Sequence, residues 1–301
     1  NLLKLTRLLW QQRPSAELAD YYERALWNGI LGTRSPDDAA AIMYYVPMQS
    51  GLYRYYCERD NAYVCCSGTG IESFSRLGEF VYGTSDDTLW VNLFTPSEVE
   101  WKERGVQLRQ ETKFPDDGKT TLVVASKSPV RFTLAVRRPF WCKDTMAVTV
   151  GGEAVPCTVG DDGYVAIARQ WRDGDRVEIT LPMALRTEPL GDDRSLVAVC
   201  CGPIVLAADL GRADMSQGMR KGLGEEAYRR CIEGAAMDTP VIGLDAGKPE
   251  LANIQPLTFQ ALTALTSRPE VLVLRPFYRL HEVRYSVYVR PVILEPGIID
   301  D

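Results

Sequence analysis

Apolar residues recur at helical spacing from the start of the chain: Leu2, Leu5 and Leu9, with Leu3 and Trp10 beside them and Lys4 and Arg7 between. Pro14-Ser15 breaks this pattern, and Ser15 is suited to cap a second helix. That helix runs through Leu18, Tyr22, Ala25, Leu26 and Ile30 to Gly32, which suits the position just past a helix end. Residues 36–64 follow no period and are rich in tyrosine (Tyr44, Tyr45, Tyr53, Tyr55, Tyr56, Tyr63). The spacing of Ile71, Phe74, Leu77 and Val81 then predicts a third helix over 70–81, opened by a capping box of Thr69 and Glu72.

Beyond Gly83 the period shifts to that of strands. Thr88–Phe94, Val106–Lys113, Thr120–Ala125, Val130–Val136, Ala147–Val150, Tyr164–Ala168 and Arg176–Leu181 alternate or run apolar. Asp117-Gly118, Gly151-Gly152, Asp162-Gly163 and Asp173-Gly174 separate them as turns, which predicts an antiparallel sandwich. A second β-rich stretch opens with Ser195–Ala208, is interrupted by a polar insert from Arg212 to Glu250, and resumes at Val271–Leu274 and Val283–Val289. The reading is a multidomain α + β chain: helices over 1–82, a β-sandwich over 83–186 and a C-terminal β-rich domain over 187–301.

Composition narrows the classes. The 301 residues carry 34 Lys+Arg against 40 Asp+Glu, a formal net charge of −6, with no basic block, which argues against nucleic acid and anionic membrane surfaces as partners. Eight cysteines are too few for a disulfide scaffold. The longest apolar stretch, Leu196 to Ala208, is broken by Gly202 and Pro203 and is too short to span a bilayer. One histidine, His281, excludes His-based triads and multi-His metal sites within these residues, and its neighbours make it a structural residue. The chain opens with Asn1 inside a helical pattern without a capping residue, so the expectation is the C-terminal part of something longer.

The densest chemistry is Cys65-Cys66, set in Tyr63-Val64-Cys65-Cys66-Ser67-Gly68-Thr69-Gly70-Ile71-Glu72. Two thiols just before a helix N-terminus sit where peptide N–H groups favour thiolate, and both can approach one soft metal ion. A pair is still short of the three or four ligands that zinc takes. The competing reading is that the pair is simply a small hydrophobe, as Cys200-Cys201 is within its apolar run. Glu72 is explained by the capping box, and the tyrosines either stack on sugar rings or pack.

Several of these segments together resemble one family group. They are Asn1 to Leu9, Tyr21 to Gly32, Cys65 to Glu72, Leu89 to Phe94, Gln110 to Thr112, Asp173 to Asp175 and Pro276 to His281. In order and over nearly the whole chain they resemble glycoside hydrolase families 127 and 146, the β-L-arabinofuranosidases. The Cys-Cys-Ser-Gly-Thr-Gly form is closer to family 146 than the Cys-Cys-Pro-Pro form of family 127. The resemblance implies the terminal helices of an (α/α)6 barrel followed by two antiparallel β-sandwich domains. It implies a zinc ion held by three Cys and one Glu, with one thiolate as nucleophile of a retaining glycosidase and a separate Glu as acid/base. Carried over by position, Cys65 is nucleophile and zinc ligand, and Cys66 is a second zinc ligand. Tyr44, in Met43-Tyr44-Tyr45-Val46-Pro47, lines the sugar site, although Val46 stands where members often carry Asn.

The same resemblance places the remaining zinc ligands, in a Glu-x-Cys motif, and the acid/base Glu before Asn1. The implied ligand is an arabinose-containing oligosaccharide or glycan, and the expectation is no glycosidase activity and little zinc retention from these residues alone. A reactive zinc-bound thiolate calls for a reducing surrounding, and the chain reads as soluble, cytoplasmic or periplasmic. Residues 83–301 alone would support a different class, a non-catalytic sandwich module that binds polysaccharide or packs on a barrel.

Overall fold

The computed structural model describes residues 1–57, 65–142, 146–213, 215, 237–245, 247–262, 264–265 and 271–293. Tyr63 and most of the polar insert between Arg212 and Glu250 lie outside the described residues. Contacts divide the chain into two compact units, Asn1–Ala25 with Arg76–Ala184 and Leu26–Ser75 with Leu185–Asp301. Each unit therefore takes a share of the helical N-terminal region.

In the first unit, helix α1 (Leu2–Gln12) and helix α2 (Ala16–Ala25) form as the spacing predicts. Trp10 anchors α1. Its ring meets Phe80 and Trp90 edge-on at 5.6 and 5.7 Å, and its indole nitrogen donates to the Tyr164 hydroxyl at 2.9 Å. Gly83 leaves the room: a Cβ there would fall 2.1 Å from the Trp10 ring. The strands are β1 (Tyr82–Thr84), β2 (Thr88–Val91), β3 (Ser97–Trp101), β4 (Val106–Thr112), β5 (Lys119–Ser126), β6 (Val130–Arg137), β7 (Ala147–Val150), β8 (Glu153–Val155), β9 (Tyr164–Trp171) and β10 (Arg176–Thr180). They pair as a four-stranded sheet, β1-β2-β6-β9, and a six-stranded sheet, β3-β4-β5-β10-β7-β8. Alternation sends Leu108, Leu122, Val124 and Val177 of one sheet and Leu89, Val91, Leu134 and Val136 of the other into the core. Trp101 of β3 meets Phe132 of β6 edge-on at 5.6 Å, and Phe132 stacks on Trp171 of β9 at 5.5 Å, so the two sheets share one aromatic core. Two sheets pack as expected, but the sandwich is not wholly antiparallel: β2 and β6 pair in parallel.

In the second unit the chain leaves α2 through a π turn, Leu26–Ile30, and a 3-10 turn, Leu31–Thr33. The second helix of the sequence reading thus reaches the expected region but changes winding after Ala25. Helix α3 spans Cys65–Ser75 rather than 70–81. The remaining strands are β11 (Leu185–Pro189), β12 (Val197–Cys201), β13 (Ile204–Asp209), β14 (Val241–Asp245), β15 (Lys248–Pro249), β16 (Leu251–Gln255), β17 (Thr258–Ala261), β18 (Ala264–Leu265), β19 (Val273–Pro276), β20 (Tyr285–Ser286) and β21 (Tyr288–Ile293). Where two facing sheets were expected, these strands pair into one eleven-stranded sheet. The cause is its centre: the β12–β13 hairpin is paired along both flanks, and β21 joins β12 on one side and β14, in parallel, on the other. Every residue of β12 and β13 is buried, which is why Val197–Cys201 and Ile204–Ala208 read as apolar on both faces, with only Asp209 charged. Among the described residues no helix is long and apolar enough to cross a membrane.

Candidate functional site

The site is built in the second unit. A bridge between Arg34 and Ile42, and the Cys57 amide donating to the Ile42 carbonyl at 3.1 Å, fix the segment that carries Tyr44. Helix α3 comes down on this segment. A Cβ at Gly70 would lie 2.7 Å from the Ile42 side chain, so glycine there permits the close approach, and Arg34 covers the Phe74 ring at 4.8 Å. Farther along the segment Arg54 is buried, held by the Gly32 carbonyl and by the Phe277 carbonyl at 2.8 Å, and it lies over the Phe277 ring at 4.2 Å.

Cys65 and Cys66 are the first two residues of α3, which starts five residues earlier than the capping-box reading had it. Thr69 and Glu72 accordingly lie within the helix. The Thr69 hydroxyl bonds back to the Cys65 carbonyl at 3.3 Å instead of capping an amide. Cys65 is exposed and Cys66 half-buried, with their sulfurs 3.8 Å apart. Burial and the neighbouring Cys65 thiol both push the Cys66 thiol upward from its ordinary value, opposite to the lowering expected beside a helix N-terminus. The Tyr44 hydroxyl is raised by Tyr45 and then by Cys65, both of which it contacts. Cys65, Cys66 and Tyr44 are therefore brought to one place. Tyr45, read in the sequence only as part of a tyrosine-rich stretch, stands with them, its ring edge-on to Tyr44 at 4.4 Å.

The other candidates fall away from this cluster. Tyr53, Tyr55 and Tyr56 are buried and serve packing, which divides the tyrosine stretch between core and surface. Cys200 and Cys201 are buried in β12, and burial pushes the Cys201 thiol up to about 11. Among the described residues no group of three or more His, Cys, Asp or Glu side chains is placed to hold a metal ion.

His281 is hydrogen-bonded through Nδ1 to the Tyr56 hydroxyl. Burial first, and then the Arg54 guanidinium, pull its pKa down to about 4. The unfolded chain thus binds a proton at His281 between about 6.5 and 4 that the folded one does not. Stability of this unit is expected to rise with pH through that window and to be lost as pH falls through it. Urea unfolding midpoints measured across the window should show this slope, and His281→Gln should flatten it. An unchanged slope in the variant would refute the assignment.

Comparison with known proteins matches three segments. Residues 1–79 match the family model of the GH127 β-L-arabinofuranosidase catalytic domain, residues 88–183 match the GH127 β-L-arabinofuranosidase middle domain, and residues 186–291 match a domain of unknown function. No curated protein sequence matches the chain. Among solved structures, it is similar to Ara127N-Se, a GH127 β-L-arabinofuranosidase from Geobacillus stearothermophilus T6. That match has 23% identity and a TM-score of 0.73, and covers 97% of this chain and 49% of that one. The GH127 β-arabinofuranosidase BT3674 matches at 22% identity and a TM-score of 0.72, covering 96% and 48%. A further glycoside hydrolase matches at 18% identity and a TM-score of 0.73, covering 96% and 51%. These likenesses establish the fold, and the chain spans about half the length of the structures it matches.

Proposed function

The chain belongs to the GH127 family of β-L-arabinofuranosidases, and from that premise we propose that it is the C-terminal half of a retaining glycosidase with Cys65 as nucleophile. On this reading residues 1–82 hold the last helices of an (α/α)6 barrel, and the substrate is an L-arabinofuranose-bearing plant-type glycan. The observation that carries the reading is the thiol pair beside Tyr44: two sulfurs at 3.8 Å, one of them exposed, next to a surface phenol.

The spacing of the two sulfurs fits zinc. Two thiolates bound tetrahedrally at about 2.3 Å each lie a little under 4 Å apart, which fits Cys65 and Cys66. When bound, zinc would keep these thiols deprotonated near neutral pH. The pair is half of a four-ligand shell.

This chain's own residues would act as follows. The Cys65 sulfur attacks the anomeric carbon, forming a C–S bond as the C–O glycosidic bond breaks. The leaving oxygen takes its proton from a carboxylic acid, which the family resemblance places outside residues 1–301. Water then cleaves the C–S bond with inversion, restoring the original anomeric configuration and the free thiol. Tyr44, steadied by Tyr45, offers a hydroxyl to the sugar. Purified as these 301 residues, the protein should bind less than one zinc per chain and leave an aryl β-L-arabinofuranoside unhydrolysed. Metal analysis and a chromogenic assay check both, and full zinc together with turnover would refute the half-site reading.

A further inference from the structure

Three turns at one end of the first unit's sandwich enclose a groove of about 1010 Å³. They are the β3–β4 turn, with Gly105 at φ 62°, the β5–β6 turn at Lys127 and Ser128, and the β9–β10 turn at Asp173. Nothing in the cysteine chemistry uses this end of the sandwich.

Its polar groups are of two kinds. Arg104 is pinned: Nε donates to the Asp86 carbonyl at 2.7 Å and Nη1 to the Arg131 carbonyl at 3.4 Å, and the guanidinium lies over the Trp101 ring. Both oxygens are neutral carbonyls, so its charge is fixed in place without a balancing carboxylate among the described residues. Lys127 has no carboxylate partner among the described residues, and Lys102 reaches only Glu100, at 4.0 Å. Against these cations stand Glu100 and Asp173, the latter already accepting the Ser126 amide at 3.1 Å. The Ser126 hydroxyl is buried without a hydrogen-bond partner among the described residues.

We propose that this groove binds an acidic oligosaccharide, a chain of uronate-type sugars. Arg104 and Lys127 would take the sugar carboxylates, and Asp173 and Glu100 would take sugar hydroxyls. Each half of the pairing excludes an alternative. A neutral sugar leaves two cations unanswered, and it lacks a stacking platform because Trp101 is 3% exposed beneath Arg104. A nucleic acid meets Glu100 and Asp173 in the groove and a net charge of −6 around it. A small inorganic anion uses neither the groove's length nor its acceptors.

The proposal takes only the carbohydrate class from the glycosidase reading and is independent of Cys65. Calorimetric titration of the 301-residue chain with a short oligogalacturonate is the test. Saturable, salt-sensitive binding is expected, with Lys127→Glu weakening it about tenfold, the worth of one charge-assisted contact, and Ser126→Ala, which removes a hydroxyl buried beneath the groove, leaving it unchanged. Both variants should melt like the parent, and a neutral galacto-oligosaccharide of equal length should not bind. The proposal is overturned by absence of binding, by equal binding of the neutral chain, by binding that Lys127→Glu leaves intact, or by dextran sulfate, a polyanion without uronate, binding as tightly as the uronate. Cys65→Ser should leave the titration unchanged, which separates failure of this site from failure of the glycosidase reading.

Discussion

Replacing Cys65 with serine, in a form of the protein that turns over substrate, is expected to abolish hydrolysis of an aryl β-L-arabinofuranoside, with kcat falling on the order of 10⁴-fold or more. A thiol ionises within reach of neutral pH and is intrinsically nucleophilic, whereas a serine hydroxyl ionises far above it and is a weak nucleophile unless a base activates it. The exposed Cys65 sulfur 3.8 Å from its neighbour is the atom that change removes. Cys200→Ser is the matched control. It puts a hydroxyl into the buried strand β12 and should cost stability, since a buried hydroxyl needs a partner, without changing kcat. Steady-state kinetics alongside thermal melting read the two effects apart. Equal loss of kcat in both variants would mean that the two cysteine pairs do not differ as argued.

The contrast between those pairs was legible in the chain, because Cys200-Cys201 lies in a continuous apolar run and Cys65-Cys66 among glycines and polar residues. The start of α3 was not. Gly68 and Gly70 are poor helix formers, so the periodic signal begins only at Ile71. The later turns are held by tertiary contacts, with Ile42 against Gly70 and Arg34 over Phe74. Strand β3 escaped notice for another reason. Its sequence, Ser97-Glu98-Val99-Glu100-Trp101, puts carboxylates on the solvent face and only Trp101 fully inside, so alternation is present but apolar content is low. Tyr45 and Arg54 show a further boundary. Which tyrosine faces the thiols, and that an arginine is buried against carbonyls, depend on partners far apart in sequence, such as Arg54 and Phe277.

Arg137→Met is expected to cost about 3–5 kcal/mol of unfolding free energy in the first unit, because it strands the buried Glu23 carboxylate and the half-buried Asp20. Arg137, in β6, is fully buried. Its guanidinium binds Asp20 and Glu23, both on α2, and donates through Nε to the Asn92 carbonyl at 2.6 Å. The carboxylates are further tied by the Phe140 amide to Asp20 at 3.2 Å and the Trp141 indole to Glu23 at 3.0 Å. Burial lowers the Arg137 pKa, but Glu23 and Asp20 outweigh it and the net shift is upward, so the cation persists at any working pH. Burial raises Asp20 from 3.8 to about 6 even though Arg137 pulls it down. The folded protein thus holds the Asp20 proton more tightly than the unfolded one, and that contribution, full below 3.8, is lost as pH rises through about 6. Without Arg137 the pull downward disappears, and Asp20 should take up its proton more readily. The destabilisation should therefore be greatest near pH 8 and shrink toward about pH 5, where protonation removes the stranded charge. Adding Asp20→Asn and Glu23→Gln to Arg137→Met should recover part of the loss, since three neutral side chains cost less to bury than two unpaired anions. Urea unfolding of the parent, the single and the triple variant at both pH values measures each part. A single variant less than about 1 kcal/mol below the parent, or equally destabilised at both pH values, would show that the carboxylates reach solvent and that α2 is held by packing alone.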